Sequence, residues 1–325
     1  MNDFLSTIKS PIEAELESFR ILFDNTLTHN DSALGSALDH IKQRKGKQMR
    51  PILILLIAKA LGEVNDSTYQ AAVALELLHT ASLVHDDVVD KADERRGQKS
   101  VNSLYDNKIA VLVGDHILST ALLSVCKSGR VDIITHLSRL GQTLSDGEIL
   151  QLTSNQQQLI SEQEYYNIIR QKTAALFKAC ATMGALSVNA GEQLREQAEN
   201  FCQTLGTIFQ IRDDIFDYFP SSKIGKPTGN DMREGKLTLP AIYAVLRSDD
   251  EQIKSIAQKV KKLSASTEEI QQLVTYTIEN GGITYAEDKM HELRTQCQQF
   301  INSISQSEIK KSLTAYLDYC ISREF

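Results

Sequence analysis

Three observations predict an all-α fold, arranged as a single large helical bundle with a central cavity and occupying residues 1–325. The chain has only 5 prolines and 16 glycines among 325 residues, few enough breakers to allow long helices. Apolar residues recur with helical spacing, and neither an alternating strand pattern nor a βαβ rhythm appears. At 42 % apolar, the chain can fill a large core. Its length alone would allow two domains. The far-apart half-sites described below must meet, which argues for one.

In chain order, Ser10-Pro11 opens a helix, with proline at the first position, where no intrahelical N–H is needed. Ile12, Leu16, Phe19 and Phe23 then form one apolar stripe. Pro51 opens the next apolar run, which ends at Leu61-Gly62. Capping boxes at Ser161…Glu164, Ser266…Glu269 and Thr284…Glu287 predict three more helix starts, and Gly281-Gly282 punctuates the last part. Gln156-Gln157-Gln158 is expected to be a solvated connector. Residues 220–229 combine two glycines, two prolines, Lys223 and Lys226, and predict a flexible basic flap.

The formal net charge of −7 disfavours general nucleic-acid binding. Cys126, Cys180, Cys202, Cys297 and Cys320 are scattered, odd in number and form no CxxC, so reduced thiols in a cytoplasmic protein are expected. The N-terminus lacks the basic and apolar regions of a signal peptide. The apolar stretch at residues 109–125 is interrupted by Asp115 and His116, so no membrane span is expected.

The chemistry lies in an aspartate cluster that occurs twice. Asp86-Asp87-Val88-Val89-Asp90 is matched far along the chain by Asp213-Asp214-Ile215-Phe216-Asp217. On a helix, positions i and i+4 lie only ~40° apart. Asp86 therefore stacks on Asp90, and Asp213 on Asp217. A lone DxxxD is more often a solvated helix face than a site. Here both copies have apolar flanks, and paired carboxylates on an apolar face repel unless a cation offsets them. Two such pairs suit a hard divalent ion, with magnesium (Mg2+) the natural candidate. Basic groups complement them: Lys47 and Arg50 before an apolar helix, Arg95-Arg96 just past the first cluster, Lys172-Thr173, the flap lysines, and Lys236 before Leu237-Thr238-Leu239-Pro240. Singly, each reads as a solvated charge; around two acidic clusters they read as an anion site.

Residues 42–240 resemble the trans-isoprenyl diphosphate synthases, in particular the medium- to long-chain polyprenyl branch, of octaprenyl type. The resemblance rests on Gly46-Lys47-Gln48-Met49-Arg50-Pro51, both aspartate motifs, Arg95-Arg96-Gly97, Val113-Gly114-Asp115, Gly147-Glu148-Ile149, Lys172-Thr173-Ala174, Phe209-Gln210-Ile211-Arg212, Gly225-Lys226-Pro227 and Gly235-Lys236-Leu237-Thr238-Leu239-Pro240. Gln48 departs from it, since arginine is more usual there. The resemblance implies a helical bundle of the isoprenoid synthase type, a homodimer, and a catalytic set of Asp86, Asp87, Asp90, Asp213, Asp214, Lys172 and Lys226. It further implies Mg2+ on Asp86, Asp90, Asp213 and Asp217, with Asp87 in support. Arg95, Lys172, Thr173, Gln210, Lys226 and Lys236 would hold the allylic diphosphate. Lys47, Arg50, His79 and Arg96 would hold isopentenyl diphosphate. His79 on an apolar helix would otherwise read as a core histidine, and His85 as a neighbour that supports Asp86.

The implied reaction is ionisation of the allylic C–O bond, attack by the double bond of isopentenyl diphosphate on the carbocation, and proton loss. Phe177 and Phe209 are candidate π partners for the cation, although both also fit a plain core. Ala81 and Ser82, just before the first motif, are small and leave a tunnel for the tail open. A hexaprenyl-to-decaprenyl product for quinone side chains is expected, with transient membrane contact to release it. A short-chain farnesyl or geranylgeranyl synthase, a class I terpene cyclase and a silent regulatory subunit are the competing readings.

Overall fold

The structure is a computed structural model that describes residues 2–29, 32–43, 46–95, 97–154, 161–220 and 228–323. It begins with α1 (Asn2–Lys9), a 3-10 turn (Ser10–Ile12) and α2 (Glu13–Thr26). Pro11 therefore links two helices instead of opening the first one. Ile12, Leu16 and Phe19 of the expected stripe are buried. After α3 (Ser32–Gln43) comes α4 (Met49–Leu61), buried on all sides from Pro51 to Ala58. A helix that is apolar all round belongs at the centre of a bundle.

α5 (Asp66–Val89) starts on a capping box, in which Asn65 and Thr68 each accept the other's backbone N–H. Threonine in place of Glu or Gln at the third helical position hid that box from the sequence pattern. The short strands β1 (Glu94–Arg95) and β2 (Gln98–Lys99) pair in an antiparallel hairpin, and they are the only strands among the described residues. α6 (Val101–Leu104), α7 (Asn107–Lys127) and α8 (Val131–Ser154) follow. α9 (Glu162–Ile169) runs through a π turn (Arg170–Ala174) into α10 (Ala175–Ser187) and then α11 (Glu192–Phe216). The chain continues with α12 (Asn230–Arg233), α13 (Leu239–Leu246), α14 (Glu251–Lys261), α15 (Thr267–Glu279), α16 (Gly282–Ser303) and α17 (Ser307–Ser322).

The capping boxes at Ser161 and Ser266 form as expected. Thr284…Glu287 does not start a helix: it lies inside α16, which begins after Gly281 in the left-handed conformation (φ 76°). A positive φ there favours glycine and stops the preceding helix, so the start falls earlier than the side-chain pattern suggests.

α10 packs against α4, α5, α8 and α11, and α1 packs on α17. The α4–α10 crossing is close, since a Cβ on Gly184 would sit 2.8 Å from the Ile54 carbonyl oxygen. By length and composition alone, α7 is apolar enough to cross a membrane even with Asp115 and His116 in it. Its inner face, including Ala110, Val113, Ile117, Ala121 and Val125, is instead buried in the protein, with α5 alongside.

Candidate active site

The first aspartate motif closes α5. Asp86 and Asp87 lie in its last turn and Asp90 follows as the cap, its N–H donating to the Asp86 carbonyl at 2.8 Å. Asp87 turns inward and is buried, and its Oδ1 accepts from Arg95 Nε at 2.6 Å. Asp87 thus holds Arg95, delivered by the β1–β2 hairpin, in place. Burial raises the Asp86 carboxyl to about 6; Glu148 and Asp90 add to the shift, and Lys172 and Arg95 oppose it. Burial also raises Asp90, against the pull of Lys236 and Lys172. Carboxylates held this way carry negative charge that an added cation would stabilise.

The opposing lysines are themselves positioned. Lys172 Nζ lies 2.6 Å from Glu148 Oε2 and donates to Gln151 Oε1 at 3.0 Å. Lys172 and Thr173 sit in the π turn, a local widening common at functional sites. Gly147 on α8 lets this turn approach, since a Cβ there would lie 3.3 Å from the Lys172 nitrogen. Lys236 pairs with Glu234 at 2.5 Å.

The second motif closes α11 and is more heavily engaged. Asp213 is paired with Arg323 from the end of α17; burial raises its carboxyl, and Arg323 and Arg50 oppose that shift. Asp214 is buried and accepts from the Tyr165 hydroxyl at 2.5 Å and from Gln210 Nε2 at 2.8 Å. The Gln210 carbonyl oxygen in turn accepts from the Thr173 hydroxyl at 2.6 Å. Asp217 accepts from the backbone N–H groups of Asn230 at 2.9 Å and Asp231 at 3.0 Å, anchoring the start of α12. Asp231 is pushed up to about 7 by burial, with Asp217 adding and Lys236 opposing. Tyr165, Lys172, Thr173, Gln210, Asp214, Asp231 and Lys236 line one cavity of about 170 Å³. Lys172 and Lys236 also act electrostatically on Asp90, so these two cations connect the motifs.

The residues expected to hold isopentenyl diphosphate divide. Lys47 donates to the Tyr319 hydroxyl at 2.8 Å, and Tyr316 donates to the Met49 carbonyl at 3.1 Å, tying this segment to α17. The buried Arg50 Nε has no partner among the described residues. His79 lies with Gln48, Glu76, Asp87 and Arg95 around a smaller cavity of about 80 Å³. Gln48, the departure from the family pattern, accepts from Arg20 Nε at 3.0 Å. Arg96, Lys223, Lys226 and the Gln156–Gln158 connector lie outside the described residues.

Behind the first motif a groove of about 600 Å³ is lined by Leu78, Ala81, Ser82, His85, Leu118 and Leu144, with polar groups from α8. His85 leans onto α7, 3.3 Å from the Val111 carbonyl and from Asp115. Phe177 and Phe209 pack together at 5.3 Å, and the Arg323 guanidinium lies 3.7 Å from the centroid of the Phe209 ring. Sequence reasoning missed Tyr165, Asp231, Tyr319 and Arg323 and quoted Glu148 only as part of a motif. Glu148 had a sequence signal, a carboxylate beside a glycine within a helical run, whereas the others acquire their partners only in three dimensions.

A helical bundle that gathers carboxylates and lysines around one cavity is shared with the prenyltransferases to which the chain is similar. The polyprenyl synthetase family model matches residues 31–277, and the chain belongs to that family. It is 32 % identical over 313 residues to the all-trans-nonaprenyl-diphosphate synthase (geranyl-diphosphate specific) of Rhodobacter capsulatus, covering 96 % of this chain and 95 % of the relative. A geranylgeranyl pyrophosphate synthase from Bacteroides thetaiotaomicron superposes with a TM-score of 0.87 at 46 % identity, covering 99 % of this chain and 100 % of that one. A polyprenyl synthase from Caulobacter crescentus, complexed with calcium and isoprenyl diphosphate, superposes with a TM-score of 0.91 at 26 % identity, covering 99 % of this chain and 98 % of that one.

Proposed function

We propose that this prenyltransferase condenses isopentenyl diphosphate with an allylic diphosphate to extend a trans-polyprenyl chain in the cytoplasm. The observation that supports the reading is a cavity that Lys172 and Lys236 share with the Thr173–Gln210–Asp214 chain, the same two lysines acting electrostatically on Asp90 and Lys172 also on Asp86. Mg2+ takes one or two carboxylates per ion and completes its shell with water and phosphate oxygens, so it needs no closed protein cage. Asp86, Asp90 and Asp213 would hold it, with Asp217 contributing through lone pairs that its backbone donors leave open. The Caulobacter enzyme, complexed with calcium and isoprenyl diphosphate, supports the reading that a divalent ion and a diphosphate bind this fold. Bound Mg2+ supplies electrostatic stabilisation for the departing diphosphate.

Arg95, Lys172, Thr173, Gln210, Lys226 and Lys236 orient the allylic diphosphate and take up charge as its C–O bond breaks. Lys47, Arg50, His79 and Arg96 hold isopentenyl diphosphate so that its double bond meets the allylic cation. The released diphosphate accepts the proton. Phe177 and the groove wall keep water from the cation. The Phe209 face covered by Arg323 is closed to that role.

Ala81 and Ser82 on the groove wall support a product longer than farnesyl, in the hexaprenyl-to-decaprenyl range, suited to quinone side chains. The 46 % identity to a geranylgeranyl pyrophosphate synthase favours a shorter product as the second reading. Exposed Ile109, Leu112, Leu122 and Leu123 on α7 supply an apolar face for a second copy of the chain, in keeping with a homodimer. A very apolar product would leave through transient membrane contact. Product analysis with farnesyl diphosphate, isopentenyl diphosphate and Mg2+ tests the reading. Long trans-polyprenyl products are expected, and Ala81→Phe should shorten them. A stop after one addition would select the shorter product, consumption without elongation a cyclase, and inactivity a silent subunit.

A further inference from the structure

We propose that Arg323 is a positioning residue of the reaction site, a resident cation that holds the Asp213 carboxylate and yields it when metal and diphosphate enter together. This rests on the proposed role of Asp213 as a metal-holding carboxylate. Arg323 lies beyond residues 31–277, so the family match assigns it nothing.

The contact is built on both sides. The N–H of Arg323 donates to the Tyr319 carbonyl at 2.9 Å, continuing the last turn of α17, and its own carbonyl accepts from Arg212 Nε at 3.3 Å. The guanidinium then reaches across to α11. Nη2 donates to the Phe209 carbonyl at 3.0 Å and to Asp213 Oδ1, bridging one helical turn. The plane stacks on Phe209, with Phe216 5.3 Å away. The side chain is only 12 % exposed while that of Asp213 is 42 % exposed, so the Asp213 side chain stays partly open to solvent. The buried Nε has no partner among the described residues. A largely desolvated guanidinium with one anionic partner among the described residues has strong reason to move only toward another anion.

Arg323 occupies Oδ1 of Asp213, so a metal ion on the same carboxylate would face the guanidinium across it, and the two cations repel. Metal alone brings no anion to offset that repulsion. Metal with diphosphate brings that anion, and the guanidinium fork matches phosphate oxygens. The device therefore favours loading of the two together.

The test is Mn2+ binding, followed by electron paramagnetic resonance at mildly alkaline pH with and without inorganic diphosphate. It uses the full-length wild type, Arg323→Gln, Arg323→Lys and each change on an Asp213→Asn background. Without diphosphate, Arg323→Gln should bind Mn2+ several-fold more tightly than wild type, with Arg323→Lys close to wild type. That gap should narrow with diphosphate and disappear on the Asp213→Asn background. Equal or weaker Mn2+ binding by Arg323→Gln, or a gap that survives Asp213→Asn, would overturn the proposal. Arg323→Lys preserves the charge and serves as the folded reference if the neutral variant unfolds. Elongation by wild type is scored separately: its absence with the Mn2+ gap intact would reject the proposed reaction and leave the Arg323 assignment standing.

Discussion

Burial raises the carboxyls of both motifs, but at the end of α5 Asp86 and Asp90 accept no side-chain hydrogen bond among the described residues, and Lys172, Lys236 and Arg95 act on them through space. At the end of α11, the same residue spelling is tied down at every aspartate: Asp213 by Arg323, Asp214 by Tyr165 and Gln210, and Asp217 by two backbone N–H groups. A repeated motif can thus serve as a charge reservoir in one place and as scaffolding in another. What differs is the set of elements packed against each helix end. A hairpin and lysines from later elements meet the first motif, whereas α9, α12 and α17 meet the second.

The largest expected effect separates the two ends by rate. Asp86→Asn should lower kcat by roughly 10²–10³-fold, the scale of losing one electrostatic stabiliser. Asp217→Asn should fall less far, and steady-state assays showing equal losses would erase the distinction. Stability should order them the other way. Asp217→Ala leaves the Asn230 and Asp231 N–H groups without their acceptor and should cost about 1–2 kcal/mol, as for a lost helix cap. Asp90→Ala, removing a carboxylate that caps no backbone N–H among the described residues, should cost less in the same urea titration.

Tyr165→Phe probes the second motif from its far side. It leaves Asp214 buried with one donor fewer, worth about 1–3 kcal/mol. Because Gln210 and Thr173 hang on Asp214, the allylic-substrate KM should rise as well; an unchanged KM would reduce Tyr165 to packing.

The smallest effect is on pH. Asp86 at about 6 and Asp231 at about 7 bind protons more tightly folded than unfolded. Their contribution to stability is therefore complete below the ordinary aspartate range and lost as pH rises through about 6 and about 7. Melting curves of the metal-free protein should show this decline, and Asp86→Asn should flatten the lower part of it.

Much of this was legible in the residues. The helical class, the boxes at Ser161 and Ser266, and the i, i+4 carboxylate pairs depend on neighbours within one turn. The errors share a cause as well. Thr284…Glu287 has the letters of a cap but lies inside α16, because Gly281 had already reset the backbone. Asp115 and His116 interrupt the apolar run of α7 without ending the helix, because two polar residues can sit on the side opposite its buried face. For Asp217, no local pattern supplied the two backbone N–H groups of α12 from which it accepts.

The sequence by itself determined that this chain is helical and that it concentrates acid and base at particular helix ends, since capping, periodicity and the 3.6-residue turn act locally. Only the tertiary structure decided which aspartates keep their charge in reserve and which are already engaged. Asp213 meets Arg323, Asp214 meets Tyr165, and Lys47 meets Tyr319 across long stretches of chain. Such pairings follow from how the central α4 and α10 cross and what packs around them, which no local pattern of residues encodes.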